Sequence, residues 1–393
     1  MDRPWGKIAW LYALGLLAAA QLGKMSALVP LISVELAMGL TLAGLLISLL
    51  EIGGATLGFA AGLFVDRLGV RRVLLTGIAF FALAGLGESM AASIRALVGL
   101  RLLEGAAYLC VVVSVPLLIY RTAPADRRGV ALALWSSFVP VGFALGAISS
   151  GWIAQAVSWR AATLVWALLA ATFLVGSARM AFAPPVAAPQ RRWAMPRWRL
   201  WALTLAFGCY ASFAVGLIAL LPTFLVEQAG ATPRLAGLVA GLAAFISVLG
   251  VLIAAWLRHR GGSFTAWIAV AVVVPALLLF AVFAEGASVW RVALLMLVLN
   301  TVSGIYSGLA FALLPALARS DGEMAAANGL TLQFGATGSL LGPPMFAACV
   351  ERWGWNGAAI GGALVSAACL GLMQWARADD ACPAPPLRTP PCR

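Results

Sequence analysis

The chain predicts an all-α membrane protein of twelve transmembrane helices, arranged as two pseudo-symmetric six-helix bundles. Three observations carry this expectation. Roughly a dozen apolar stretches of about 20 residues fill the chain, each long enough to cross about 30 Å of hydrocarbon as a helix. Hydrophobic residues make up 63% of the 393 positions and charged residues only 10%, with a mean hydropathy of +0.99, which leaves too little charge to clothe a soluble domain. The longest interior break in apolarity falls almost at the midpoint and leaves six stretches on either side.

The twelve spans read as 8–33, 41–65, 71–90, 93–119, 130–156, 161–183, 200–226, 234–257, 264–284, 291–314, 325–350 and 356–376. In the first, Lys7, an apolar run and Ala18-Ala19-Ala20 imitate a signal peptide. The apolar stretch nevertheless continues through Pro30 to Ile32, so it reads as an uncleaved span. The central break carries Pro184, Pro185 and Pro189, then Arg191, Arg192, Arg197 and Arg199. The expected organisation is an N-terminal bundle over 1–183, a cytoplasmic loop over 184–199, a C-terminal bundle over 200–376 and a Pro-rich cytoplasmic tail over 377–393. Setting Ala131–Ala162 against Ala327–Ala358 pairs Phe138 with Phe334, Gly142 with Gly338, Gly146 with Gly342 and Trp159 with Trp355. A duplicated six-helix unit explains those matches.

The formal charge of +12 is distributed by topology. With the N-terminus inside, 19 of the 26 Lys and Arg fall on the inner side, 5 on the outer side, and Lys24 and Arg101 lie within spans. This asymmetry places both termini in the cytoplasm of a cell with the chain multi-pass in its inner (plasma) membrane. Anionic lipid headgroups are the expected contact of the basic loops, and nucleic acid is not an expected partner. Four of the six cysteines (Cys110, Cys209, Cys349 and Cys369) lie in apolar spans, while Cys382 and Cys392 sit in the tail, so no disulfide framework is expected. With one histidine, His259, and no Cys/His cluster, neither a metal site nor a catalytic relay is expected. No nucleotide-binding loop or other cofactor motif is present.

The loop after the second span reads Gly62-Leu63-Phe64-Val65-Asp66-Arg67-Leu68-Gly69-Val70-Arg71-Arg72. Gly62 lets two helices approach, Gly69 allows a tight turn, and Asp66 can accept hydrogen bonds from a helix N-terminus or an arginine. Positive-inside bias explains the arginines but not the acid and two glycines at this spacing. The run resembles the signature of the major facilitator superfamily between spans 2 and 3, a G-x-L-x-D-R-x-G-R-R-like pattern. The resemblance implies a cytoplasmic latch of Gly62, Asp66, Arg67, Gly69, Arg71 and Arg72. At the matching place in the second half, Arg258-His259-Arg260-Gly261-Gly262 lacks an acid, so the implied latch is asymmetric. Arg101-Leu102-Leu103-Glu104-Gly105 is similar to that family's R-x-x-x-G pattern in span 4, where the arginine is linked to substrate or protons; Glu104 departs from it.

A charge in hydrocarbon costs several kcal/mol unless paired or hydrated. At about 1.5 Å per residue, Lys24, Glu51 and Arg101 fall in one layer with Glu104 about one turn deeper, an expected neutral set of two cations and two carboxylates. Either they pair architecturally or some line a substrate cavity, and Gln21 lies one turn before Lys24. Span 5 carries Pro140, Gly142 and Gly146, and span 11 carries Gly342 and Pro343; these read as helix packing and bending positions. Trp159-Arg160 reads as an interfacial anchor. Asn300, Tyr306 and Gln333 are second-half polar candidates for the cavity, with Tyr210 beside them.

The resemblance implies a secondary transporter that moves a small organic solute by alternating access, expected as a monomer, and the buried carboxylates Glu51 and Glu104 are the candidate carriers of a coupled proton. Export of apolar, drug-like compounds by proton antiport is the alternative. A membrane enzyme would need an interfacial catalytic cluster and a sensor an output domain; neither pattern is present in the sequence.

Overall fold

The computed structural model describes residues 4–60, 68–180, 195–260 and 263–377. Among these, twelve long helices follow one another: α1 (Pro4–Glu35), α2 (Leu40–Leu57), α3 (Val70–Met90), α4 (Ile94–Thr122), α5 (Phe138–Ala156), α6 (Trp159–Arg179), α7 (Trp198–Glu227), α8 (Pro233–Arg260), α9 (Phe264–Val282), α10 (Val289–Leu317), α11 (Asp321–Trp353) and α12 (Trp355–Arg377). Eleven are apolar enough to cross a membrane. The exception, α11, packs against both α7 and α2, so much of its surface meets protein and its Gly, Thr and Gln content is tolerated. No strand occurs among the described residues. The face at which α1 begins and α12 ends is called inner here and the opposite face outer.

Short connections are set by local chemistry. Ser93, Ser158, Ser263, Ser288 and Ser320 open α4, α6, α9, α10 and α11, each hydroxyl accepting the N–H three residues on. Gly354 turns α11 into α12 at φ +67°.

The duplicated pattern is visible in the packing. Gly142 and Gly146 of α5 lie against the backbone of α1 at Leu16 and Ala20, while Gly338 and Gly342 of α11 lie against α7 at Gly208 and Ser212. Between the halves, Gly44 of α2 meets the carbonyl of Pro343 in α11, and Gly237 of α8 meets that of Ala147 in α5. Those carbonyl positions stand in the same register as the glycine pairs, so two equivalent seams join the bundles. Ser26 of α1 adds a 2.7 Å hydrogen bond to the carbonyl of Ala219 in α7.

Three sequence expectations change. Span 2 is not one straight helix, because a 3-10 turn over Leu49–Glu51 interrupts α2. Span 5 is preceded by a separate short helix, Arg128–Trp135, with Ser136 and Ser137 between it and α5. Trp159 and Arg160 are not a lipid anchor: Trp159 is buried, and its indole N–H and the Arg160 guanidinium each donate at 2.6 Å to Glu35, fastening the end of α1 to α6.

Candidate functional site

Four charged side chains from three helices meet inside the N-terminal bundle. Lys24 of α1 donates to Glu88 of α3 at 2.6 Å and to Glu104 of α4 at 2.8 Å, and Arg101 of α4 pairs with Glu104 one turn on. All four are fully buried. Arg101 also spends its fork on backbone, donating Nε to Leu46 O and Nη2 to Ile47 O at 2.8 Å each, and Nη1 to Gln21 O at 3.4 Å. A 3-10 turn leaves carbonyls of the preceding helical turn short of partners. The guanidinium therefore stitches α2 to α4 at its break, which a lysine's point charge could not match.

The neutral set differs from the expected one. Glu51 is not in it; Glu88 is. Glu88 is not among the residues singled out in the sequence; it lies in the last turn of α3, yet the long side chain of Lys24 meets it. Its standing as the only acid in that span was the available signal. Glu88 keeps one oxygen, Oε1, without a partner.

Glu51 stands apart, in the 3-10 turn of α2, with Tyr108 of α4 as its polar neighbour. A Cβ placed on neighbouring Gly54 would lie 3.7 Å from Glu51 Oε2 and 2.7 Å from Ala336 of α11. Among the described residues Glu51 is thus a carboxylate without a cation partner at the seam between the halves, and it is 8% exposed while the tetrad is at 0%.

The remaining candidates divide. Gln21 donates to Leu17 O in its own helix, and Asn300 likewise to Met296 O. Gln333 of α11 accepts from the Phe59 N–H just beyond α2 at 3.2 Å, across the seam. Tyr306 is buried within the C-terminal bundle with its ring 4.7 Å from Tyr210. Tyr210, with Ser303 of α10, lines a small cavity between α7, α9, α10 and α12, inside one bundle rather than between the two. Pro140 lies in the first turn of α5. Of the latch motif, Gly62, Asp66 and Arg67 lie outside the described residues. Gly69 turns at φ +87°, Arg71 donates to Ala178 O of α6 at 2.7 Å, and Arg72 is exposed in the first turn of α3.

A family model described as Major Facilitator Superfamily matches residues 11–337. The chain belongs to the major facilitator superfamily. Its fold is similar to a crystal structure of a bacterial homolog to the human lysosomal transporter Spinster, in an inward-facing and occupied conformation. That likeness has a TM-score of 0.78 at 15% identity and covers 96% of each chain. Among curated relatives, the multidrug efflux pump LfrA of Mycolicibacterium smegmatis is 33% identical over 164 residues, which is 42% of this chain and 32% of that one. The tetracenomycin C resistance and export protein of Streptomyces glaucescens is 31% identical over 130 residues, 32% of this chain and 24% of its own. The matches therefore span a third or less of the length of these relatives. Within the superfamily's two-bundle architecture, most buried charges among the described residues of this member belong to the N-terminal half, the tetrad and Glu51, whereas the C-terminal half adds Glu323 at the start of α11, paired with Arg197 at 3.0 Å.

Proposed function

We propose that this member of the superfamily is a secondary transporter that moves a small organic solute by alternating access, driven by a proton gradient. The observation that carries the reading is the separation of Glu51 from the tetrad. A coupling carboxylate has to meet water from each side in turn, and a seam between two rocking bundles is where that exchange can occur. Glu51 sits at that seam beside Tyr108, with no cation paired to it among the described residues, so gain and loss of a proton change its charge without first breaking a salt bridge. Lys24, Glu88, Arg101 and Glu104 then serve as the fixed electrostatic frame of the N-terminal half, because they close on one another within α1, α3 and α4.

Export of apolar compounds is the second reading. It is supported by the neutrality of the tetrad, which offers an anionic solute no net attraction, and by an aromatic wall in the C-terminal half, where Phe207 stands 5.1 Å from Phe311 and Trp201 5.9 Å from Phe334. Protons and membrane lipids are the proposed partners, and a monomer in the inner membrane with both termini cytoplasmic is the proposed state. The test is reconstitution into proteoliposomes with an imposed pH gradient over a panel of anionic, neutral and lipophilic cationic solutes. Gradient-dependent movement of at least one class supports the reading; movement indifferent to the gradient rejects the coupling.

A further inference from the structure

The duplicated seams carry matched fastenings at their outer ends. At one seam, α2 opens after Gly39, which has no side chain to cap the helix. Glu351, near the end of α11 in the other half, reaches over instead: its Oε1 accepts the backbone N–H of Thr41 at 2.9 Å and its Oε2 the Thr41 hydroxyl at 2.5 Å. At the other seam, Pro233 begins α8, and Gln155, near the end of α5, accepts the backbone N–H of Arg234 at 3.2 Å. Thr41 and Arg234 are each the second residue of their helix. Gln155 and Glu351 fall in the same register as the matched glycines Gly142 with Gly338 and Gly146 with Gly342.

We infer that Gln155 and Glu351 are the paired outer gate of this protein, each closing the outer face by capping a helix that belongs to the opposite bundle. The inference rests on the alternating-access reading. The first turn of a helix has N–H groups without intrahelical partners, and a side-chain oxygen there satisfies one of them. Normally the cap is local and indifferent to domain motion. Here both oxygens come from the other half, so the caps exist only while the outer ends of α2 and α11, and of α5 and α8, stay together. Each seam adds a second contact from the same residues: the Thr41 hydroxyl on Glu351, and the Arg234 guanidinium 3.4 Å above the Trp152 ring of α5. The Ser26–Ala219 hydrogen bond lies behind them, about 14 Å inward from the end of α1, where it is sealed from the outer face.

The gate can be tested without a substrate. Ser26→Cys reports from behind it, and Val34→Cys, at an exposed position on the outer end of α1, controls for folding and reagent. The full-length protein in lipid nanodiscs is treated with a water-soluble maleimide, and labelling is followed by mass spectrometry of the Ser26 and Val34 peptides. In Gln155→Ala/Glu351→Ala, labelling at position 26 is expected to rise at least fivefold while labelling at position 34 stays constant. Gln155→Glu, which sets a carboxylate against the α8 N-terminus and Arg234, is expected to slow labelling at position 26, and it decides the matter if the double variant does not fold. Unchanged labelling at position 26 in a monodisperse double variant, or in Gln155→Glu, overturns the assignment. Failure of solute transport in proteoliposomes with a normal labelling response would instead reject the transport reading and leave the gate standing.

Discussion

Lys24 reaches Glu88 across 64 positions of chain, donating at 2.6 Å with both side chains fully buried. The contact ties α1 to α3, and through Glu104 to α4, so one ammonium holds three helices. Buried ions without partners are far costlier than buried pairs. Lys24→Met should therefore lower thermal stability in detergent by roughly 3–5 kcal/mol, because two carboxylates then share only Arg101. Lys24→Met/Glu88→Gln should recover most of that loss, since Arg101 and Glu104 remain as a neutral pair. A double variant no more stable than Lys24→Met would show that the tetrad is not an architectural frame.

Arg101 is expected to resist its most conservative replacement. Arg101→Lys keeps the charge for Glu104 but loses the fork on Leu46 O and Ile47 O. We expect a loss of about 1–3 kcal/mol, typical of buried acceptors left unpaired, together with faster amide exchange in the α2 segment around Leu49–Glu51 and unchanged exchange in α6. Equal stability of Arg101→Lys and the parent would contradict the stitching role.

The twelve-helix architecture was legible from the apolar runs, and the repeat from pairs such as Gly142 with Gly338, because lipid burial and close helix packing restrict composition at every turn. The site was legible only in part. Lys24, Arg101 and Glu104 stood out as charges in hydrocarbon, whereas Glu88, in the last turn of its span, was not joined to them. Glu51 was assigned to the same set because one-dimensional depth does not say which way a side chain points around the helix; the 3-10 turn turns it toward Tyr108 and the seam. Gln155 and Glu351 drew no attention at all, since polar residues at span ends are ordinary and their significance depends on which helix start lies opposite.

Topology gives a third prediction. Single cysteines near Arg127 and Arg192 should react with an impermeant reagent only from the cytoplasmic side, and one near Glu285 only from the periplasmic side, because the arginine asymmetry orients the chain. Labelling of the Arg192 segment from the periplasm would invert the inner and outer faces used throughout.

The fourth concerns acid. Glu351 lies past the apolar part of α11, and the Thr41 hydroxyl and N–H hold its carboxyl below the ordinary value of 4.5. Arg352 beside it is stacked near the Trp353 ring, and the α2 residues facing Glu351, Gly39 and Thr41, are uncharged. With the folded-state value depressed, the contribution of this carboxylate to closure is complete above 4.5 and is lost as pH falls through the lower folded value. Labelling at Ser26→Cys, corrected for maleimide reactivity with the Val34→Cys control, should be flat from neutral pH down to about 5 and rise only in stronger acid. A rise centred near neutral pH would contradict a role for this carboxylate.

The most direct test of the account compares Glu51→Gln with the parent in proteoliposomes, using whichever solute of the panel the parent accumulates under a pH gradient. Two rates are measured on the same preparation: accumulation against a gradient, and exchange of internal for external solute at equal pH. If Glu51 carries the coupled proton, Glu51→Gln loses accumulation at least tenfold and keeps exchange within about twofold, since the amide retains the shape and the contact with Tyr108 but cannot ionise. Accumulation at the parental rate in Glu51→Gln would contradict the central claim.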